Sequence, residues 1–514
     1  MKSIYSFLLL LFCSFILSHC TKNIDEFQQD LAPLNPTQTD ANAGTWQTIV
    51  LTNSSEMPLN APVSRSAPAY TTELQTMKTN MANLTTAQRS AIKYWSAGSV
   101  MRWNQIMREL VAKYNLPPVA NPNGNYPVPD ANNPFDFPQF PFSNPPYASR
   151  AYAYIAVAQY DALVAAYHYK ELYQGKAPYQ TDNTIQPLVP KSDLPGYPCE
   201  DAVVAGATLE LMKFLFPAEV GYLEQKAIEA KNYKMWAGAA VLSDITASDA
   251  LGKAIAAKVL TRARTDNMRN AVGTQAKWDS LANRITTLGE TPWKSLETPA
   301  RPPMLPFFGG VKTWLFDAAN LVSIRPSAPF KVGTAEFQQQ LEEVKREASG
   351  NDREKLRIAH YWADGTGTYT PPGHWNSIAF DRIYAAKYSE VRTARAFALL
   401  NMAMMDAAIA CWDAKTHYYF PRPSQIDHSI KTLTGVPNFP AYTSGHSTFS
   451  WSAATILGHI FPEAKSELER MANEASLSRL YGGIHYRMDC EAGATCGKII
   501  GQYAINRAVA DGAD

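Results

Sequence analysis

Residues 406–423 read DAAIACWDAKTHYYFPRP and residues 161–178 read DALVAAYHYKELYQGKAP. Laid over each other at a shift of 245, Asp161-Ala162 meets Asp406-Ala407, Lys170 meets Lys415 and Pro178 meets Pro423. Without a gap, the same shift pairs Phe216-Pro217 with Phe461-Pro462, Asp244 with Asp489, Gly252-Lys253 with Gly497-Lys498, Arg262-Ala263 with Arg507-Ala508 and Asp266 with Asp511. Upstream, Tyr94-Trp95-Ser96-Ala97-Gly98 echoes Tyr361-Trp362-Ala363-Asp364-Gly365, and Trp103-Asn104 echoes Trp375-Asn376, at slightly longer offsets that imply loop insertions. A constant offset held over so many positions is the mark of a duplicated structural unit.

Apolar residues at three and four spacing predict helices over 87–95, 103–111, 150–170, 201–216, 220–231, 247–265, 396–414 and 447–461. Long β-branched alternation is nearly absent, so the class is mainly α: two related helical bundles packed together. The boundaries that follow are an N-terminal degenerate bundle at 76–290, a connecting segment with the first helices of the second bundle at 291–390, and the C-terminal bundle at 391–514. A Pro- and Asn-rich excursion over 116–146 is long enough that it must wrap the surface or cover something.

The ends and the composition add bounds. Residues 1–20, with Lys2, an apolar run over 4–17 and then Ser18-His19-Cys20, read as an export signal. Leu17-Ser18-His19-Cys20 is similar to a lipobox, with His19 where a small residue is usual, which makes Cys20 the lipidated N-terminus of a cell-envelope lipoprotein, periplasmic or outer-membrane. Residues 21–75, rich in Pro, Asn, Ser and Thr, read as a tether and surface-hugging arm. No later segment is expected to span a bilayer. Charged residues are 18% and the net charge is +1, which gives no field for nucleic acid. Outside the signal, Cys199, Cys411, Cys490 and Cys496 read as buried thiols, since Cys490 and Cys496 fall on different faces of one helix.

The chemistry concentrates in residues 415–489. Lys415, Arg422 and Arg479 are three fixed cations, and Ser444-Gly445-His446 opens a helix whose free N–H groups and dipole favour an anion. Dipole help of about 0.3–1 kcal/mol is too little alone, so the arginines must supply the rest. Two like charges about 4 Å apart at an effective dielectric of about 20 cost on the order of 4 kcal/mol, and such a pocket wants an oxyanion. His446 can act as acid or base. His485 lies one helical turn before Asp489, whose carboxylate can hold one imidazole N–H and leave the other nitrogen for a ligand. Zinc is disfavoured, because no third ligand stands at zinc spacing and two arginines would repel the cation. The duplication is an internal control: the positions 245 before Arg422, Ser444, Gly445, His446, Arg479 and His485 are Ala177, Cys199, Glu200, Asp201, Lys234 and Ala240. The first copy keeps the scaffold and loses the chemistry, so only the C-terminal bundle is expected to carry the active site. Lys170 persists in the first copy, which gives Lys415 a partly structural reading. His374 reads as a helix cap in preference to a site residue, and Met402, Met404 and Met405 as core filler.

Lys415-x6-Arg422-Pro423, Ser444-Gly445-His446 and Ser478-Arg479-x5-His485-x3-Asp489 together resemble the signature motifs of the vanadium-dependent haloperoxidase and type 2 phosphatidic acid phosphatase superfamily. Trp362, Pro372-Gly373-His374-Trp375-Asn376 and Asp406-Ala407 resemble its bacterial haloperoxidase members, and the double bundle is similar to vanadium chloroperoxidases. Thr443 departs from the pattern, since a proline usually precedes Ser-Gly-His. The resemblance implies vanadate held by Lys415, Arg422, Ser444, the Gly445 N–H and Arg479, with His485 as metal ligand, His446 as acid–base residue, and Trp412 and Phe439 lining a halide pocket. It implies hydrogen peroxide and halide as substrates, hypohalous acid as product and a small organic molecule as acceptor. Phosphate shares the shape and charge of vanadate. The alternative is therefore a periplasmic acid phosphatase with His485 as nucleophile, and a third reading is a non-catalytic oxyanion-binding lipoprotein.

Overall fold

Why the two halves share one architecture is visible in how each helix begins and ends. The computed structural model describes residues 30–126 and 143–513; the expected signal and Cys20 lie outside these, as does the middle of the 116–146 excursion. The described residues from Pro33 on form one compact unit, and residues 30–32 belong to a separate one. Among the described residues there are helices and no strands.

The first half contains α1 (Pro68–Ala82), α2 (Thr86–Trp95), α3 (Ser99–Tyr114), α4 (Pro145–Tyr173), α5 (Glu200–Leu215), α6 (Val220–Trp236) and α7 (Leu242–Arg264). After α8 (Gln275–Thr287) the second half repeats the order with α9 (Ala335–Glu347), α10 (Arg353–Tyr361), α11 (Thr370–Ala386), α12 (Glu390–Tyr418), α13 (Gly445–Ile460), α14 (Lys465–Tyr481) and α15 (Arg487–Ala510). From α4 onward each helix start recurs 245 residues later, for instance Pro145 and Glu390 or Val220 and Lys465. Local chemistry recurs with it. Asn144 and Ser389 cap α4 and α12 by accepting from the backbone N–H groups of Tyr147 and Arg392. Both helices end on a left-handed non-glycine residue, Gln174 at φ 48° and Tyr419 at φ 44°.

Packing follows the same arithmetic. α4 and α12 lie against each other at the centre, nearly all their side chains buried. Around them α5 packs on α7 and α13 on α15. A Cβ at Gly252 would strike the Val203 carbonyl and one at Gly497 the Thr448 carbonyl, so both close helix pairs require glycine. Paired arginine and aspartate hold both halves: Arg150 donates to Asp266 and Arg395 to Asp511, with Nε–Oδ2 distances of 2.7 and 2.8 Å and all four side chains at most 6% exposed. Asp161 accepts the N–H groups of Ile49, Val50 and Leu51, and Asp406 those of Trp314 and Leu315, each carboxylate docking an incoming arm. Burial pushes these carboxyls up, to about 6 for Asp161 and about 7 for Asp406.

Several expectations change here. The helix expected over 396–414 runs from Glu390 to Tyr418 and includes Lys415, which therefore belongs to it. This segment also has the length and apolar composition to cross a membrane, contrary to the expectation, yet its apolar stretch is wholly buried inside the protein. Length and hydropathy cannot distinguish a central core helix from a span. Residues 43–60 are docked on α4 and the loop before α5, where the hydroxyls of Tyr160, Tyr169 and Tyr173 on the helix and of Tyr197 in the loop donate to their carbonyls. All four cysteines outside the signal are buried free thiols, and Met402, Met404 and Met405 are buried core.

Candidate active site

The C-terminal end of α12, the loop over 419–444, the N-terminus of α13, the end of α14 and the start of α15 converge on one buried pocket. Its geometry rests on backbone carbonyls. Lys415 Nζ donates to the carbonyls of Pro440 at 2.7 Å, Ala441 at 2.9 Å and Thr443 at 2.5 Å, so all three of its donors are committed to the loop before α13. Its counterpart Lys170 likewise donates to Pro195, 245 positions before Pro440. The partly structural reading of Lys415 therefore has a geometric basis: it pins the loop at the pocket wall.

Arg422 is fully buried. Its Nε donates to the Phe439 carbonyl at 3.0 Å, Nη1 reaches the Ile484 carbonyl at 2.7 Å and His485 Nε2 at 3.0 Å, and Nη2 has no hydrogen-bond partner among the described residues. Arg479 is held by Ser478 Oγ at 2.8 Å and the Ala359 carbonyl at 2.9 Å. Ser444 is the N-cap of α13, its Oγ accepting from Ser447 N, and its own N–H donates to the Asp489 carbonyl. A Cβ at Gly493 would lie 2.7 Å from the Ser444 carbonyl, so a glycine in α15 is what lets the cap sit this close. The missing proline at Thr443 leaves the cap intact.

His485 Nδ1 lies 2.8 Å from Asp489 Oδ2, which also accepts the Tyr486 N–H, while Asp489 Oδ1 is unpartnered among the described residues. The carboxylate thereby fixes the imidazole and turns Nε2 toward Arg422. His446 stands across the cap, its Nε2 buried and without a hydrogen-bond partner. The rings of Trp412 and Phe439 lie 5.1 Å apart, and Lys415 Nζ and the Arg422 guanidinium each lie 5.0 Å from the Phe439 ring centre. All the residues singled out in the sequence are thus brought together.

Their electrostatics point one way. Burial, with Arg422 adding to it, pushes Lys415 down to about 7, and burial lowers Arg422 and Arg479 to about 10. His446 and His485 are held well below the usual imidazole value, again by burial first and then by the neighbouring cations. Burial raises Asp489 to about 7. The shifts of the cations and histidines are what burial in a cationic cluster produces, Asp489 is raised by burial against the pull of Lys415 and Arg422, and a bound anion would oppose the shifts of the cations. Among the described residues no three His, Cys, Asp or Glu side chains gather to hold a bare metal ion, and the orphaned Arg422 Nη2 and His446 Nε2 suit an oxyanion.

In the first copy the equivalent space, about 280 Å³, is ringed by Lys170, Lys234, Glu200, Asp201 and Glu390. There charges cancel in place: Lys234 lies 3.4 Å from Asp201 and Lys170 3.3 Å from Glu200. Saturating phosphate or vanadate is therefore expected to stabilise the protein through the C-terminal site alone, by about 2.7 kcal/mol at one hundred times Kd. Thermal unfolding across a phosphate series checks this, and a midpoint that ignores phosphate would refute the anion site.

Sequence reasoning missed the wall formed by α10 and α11. His374 is no helix cap: Tyr369 holds that position in α11 and makes no side-chain cap, while His374 Nδ1 lies 3.0 Å from Asp364, whose other oxygen is 3.9 Å from His446 Nε2. The signal was available, because Asp364 faces Ala97 and His374 faces Arg102 when the two copies are aligned on their Tyr-Trp and Trp-Asn pairs.

Comparison with known proteins agrees with this geometry. Residues 395–509 match the PAP2 superfamily model. The chain is 29% identical over 125 residues to a non-specific acid phosphatase of Salmonella typhi, covering 23% of this chain and 50% of that protein. It is 29% identical over 163 residues to the vanadium chloroperoxidase of Curvularia inaequalis, covering 24% of this chain and 26% of that protein. The chain thus spans half the length of the first relative and about a quarter of the second. A solved bacterial vanadium-dependent iodoperoxidase shares the fold, with a TM-score of 0.55 at 24% identity over 71% of this chain and 91% of that one.

Proposed function

We propose, from the premise that residues 395–509 are a PAP2 superfamily domain homologous to vanadium chloroperoxidase, that this protein is a vanadate-dependent haloperoxidase oxidising halide with hydrogen peroxide. The observation that carries the choice is the Trp412–Phe439 pair, an apolar aromatic wall set against two buried cations. Such a surface suits a weakly hydrated monovalent anion, which gains from positive charge and loses little on leaving water.

Arg422, Arg479, Ser444 Oγ and the Gly445 N–H would hold the vanadate oxygens, with Lys415 completing the positive charge from the wall. His485, its Nδ1 fixed by Asp489, offers Nε2 as the metal ligand. Bound vanadate supplies Lewis acidity toward hydrogen peroxide, so that a halide gives up two electrons and leaves as hypohalous acid. His446 accepts a proton from the incoming peroxide at Nε2, for which its lowered proton affinity keeps the lone pair available at neutral pH. Trp412 and Phe439 exclude water beside Lys415 and Arg422.

A second reading draws on the 2.8 Å His485–Asp489 contact, which also suits a nucleophile: His485 would attack a phosphate ester and His446 would protonate the leaving oxygen. Purified protein loaded with orthovanadate is expected to halogenate a dione reporter in the presence of peroxide and bromide, chloride or iodide. Silence in that assay together with hydrolysis of p-nitrophenyl phosphate would replace the haloperoxidase by the phosphatase. Silence in both with calorimetric oxyanion binding would leave a binding protein.

A further inference from the structure

We infer that His374 is a positioning residue for the acid–base histidine: by claiming the Asp364 carboxylate it leaves His446 Nε2 unbonded and aimed into the pocket. The inference rests on the assignment of proton transfer to His446, which the peroxidase and phosphatase readings share.

The arrangement has four parts. His374 is buried, stacked on Trp362 with ring centres 4.5 Å apart and planes 24° from parallel, and edged by Tyr361 and Tyr369 at 5.2 and 6.1 Å. That cage fixes its ring plane, so Nδ1 points at Asp364, 3.0 and 3.2 Å from the two carboxylate oxygens. The Asp364 side chain is 6% exposed; its backbone, at φ 44°, sits in the left-handed region that Asp tolerates better than most residues, and its Oδ2 stops 3.9 Å from His446 Nε2, beyond hydrogen-bond range. Finally, the Trp362 backbone favours a proton on the neighbouring His446 ring, against burial and the cations that oppose it. His446 Nε2 itself is buried and has no hydrogen-bond partner among the described residues.

One carboxylate thus stands between two imidazoles, within hydrogen-bond range of His374 only, and its charge also supports Arg479. Were it free to turn onto Nε2, His446 would become more basic and hold the proton it must release. The other charged groups facing His446 are Arg479 and Arg422, and His485 also faces the pocket; the arginines and His374 oppose a proton there. Asp364 and His374 both belong to the second copy only, since Ala97 and Arg102 stand at the matching positions of the first. They follow the pattern of the other residues that bear chemistry.

The test separates this role from packing. His374→Phe keeps a ring on Trp362 and removes the donor, whereas His374→Asn keeps an N–H near the Nδ1 position and removes the ring. In 15N-histidine-labelled protein, the His446 titration is expected to move upward by on the order of one pH unit in His374→Phe and to return toward the wild-type value in His374→Asn. The acidic limb of the pH–rate profile should move with it. An unmoved His446 titration in folded His374→Phe, or an Asn variant no nearer wild type than the Phe variant, overturns the inference. Asp364→Asn provides a second route: in that background His374→Phe should no longer shift His446, and an undiminished shift overturns it equally. If vanadate-loaded protein fails to oxidise halide while the His446 titration still responds to His374, the haloperoxidase reading falls and this one stands.

Discussion

A His485→Ala protein is expected to fold as the wild type does and to emerge from vanadate loading without vanadium. His485 offers a group that can bond the metal directly, and its ring nitrogens are engaged with Arg422 and Asp489. Removing it leaves Asp489 and Arg422, whose charges support each other. Asp489→Asn should be milder, since it keeps the shape and loses the charge that orients the ring; outer partners of this kind are worth about 10–100-fold in affinity. Lys234→Met, at the first-copy position of Arg479, should leave vanadium content at the wild-type level. Elemental analysis after gel filtration reads all three. A His485→Ala protein that retains one vanadium per chain would refute the role of the imidazole as ligand.

Asp511→Ala is expected to cost the fold about 3–5 kcal/mol, the usual penalty for stranding one member of a buried ion pair. Arg395 would keep the Ala508 carbonyl, 2.9 Å from its Nη2, and lose the carboxylate that balances its charge. The duplication supplies a second measurement, because Asp266→Ala strands Arg150 in the same way and also removes the acceptor of the Tyr154 hydroxyl. Urea unfolding midpoints should fall comparably for both, with Asp266→Ala at least as severe. A loss under about 1 kcal/mol for either would mean that the guanidinium finds water or another acceptor once its partner is gone.

Much of the molecule was legible because duplication leaves two readings of one scaffold. The 245-residue shift found in the sequence reappears in the helix starts, the capping pair Asn144 and Ser389, the glycines Gly252 and Gly497 and the pairs Arg150–Asp266 and Arg395–Asp511. Residues that broke the repeat, Arg422, His446, Arg479 and His485, proved to share one pocket. The comparison stopped short where the offset changed. An insertion ahead of α4 moves the upstream match from 245 to 272, another between α10 and α11 brings it to 267, and Asp364 and His374 lie in that region. Without a position matched in the first copy at the 245 shift, a lone histidine near a helix start reads as a cap.

What the sequence determined by itself is the helical class, the repeat and the identity of the oxyanion residues, because periodicity, offset and motif spacing are properties of chain order. Tertiary structure alone decided that Lys415 spends its donors on three carbonyls, that a helix apolar enough for a membrane is the centre of the core, and that Asp364 lies between two imidazoles. Those facts depend on segments tens to hundreds of residues apart meeting in space, where burial and geometry, not adjacency, determine which donor meets which acceptor.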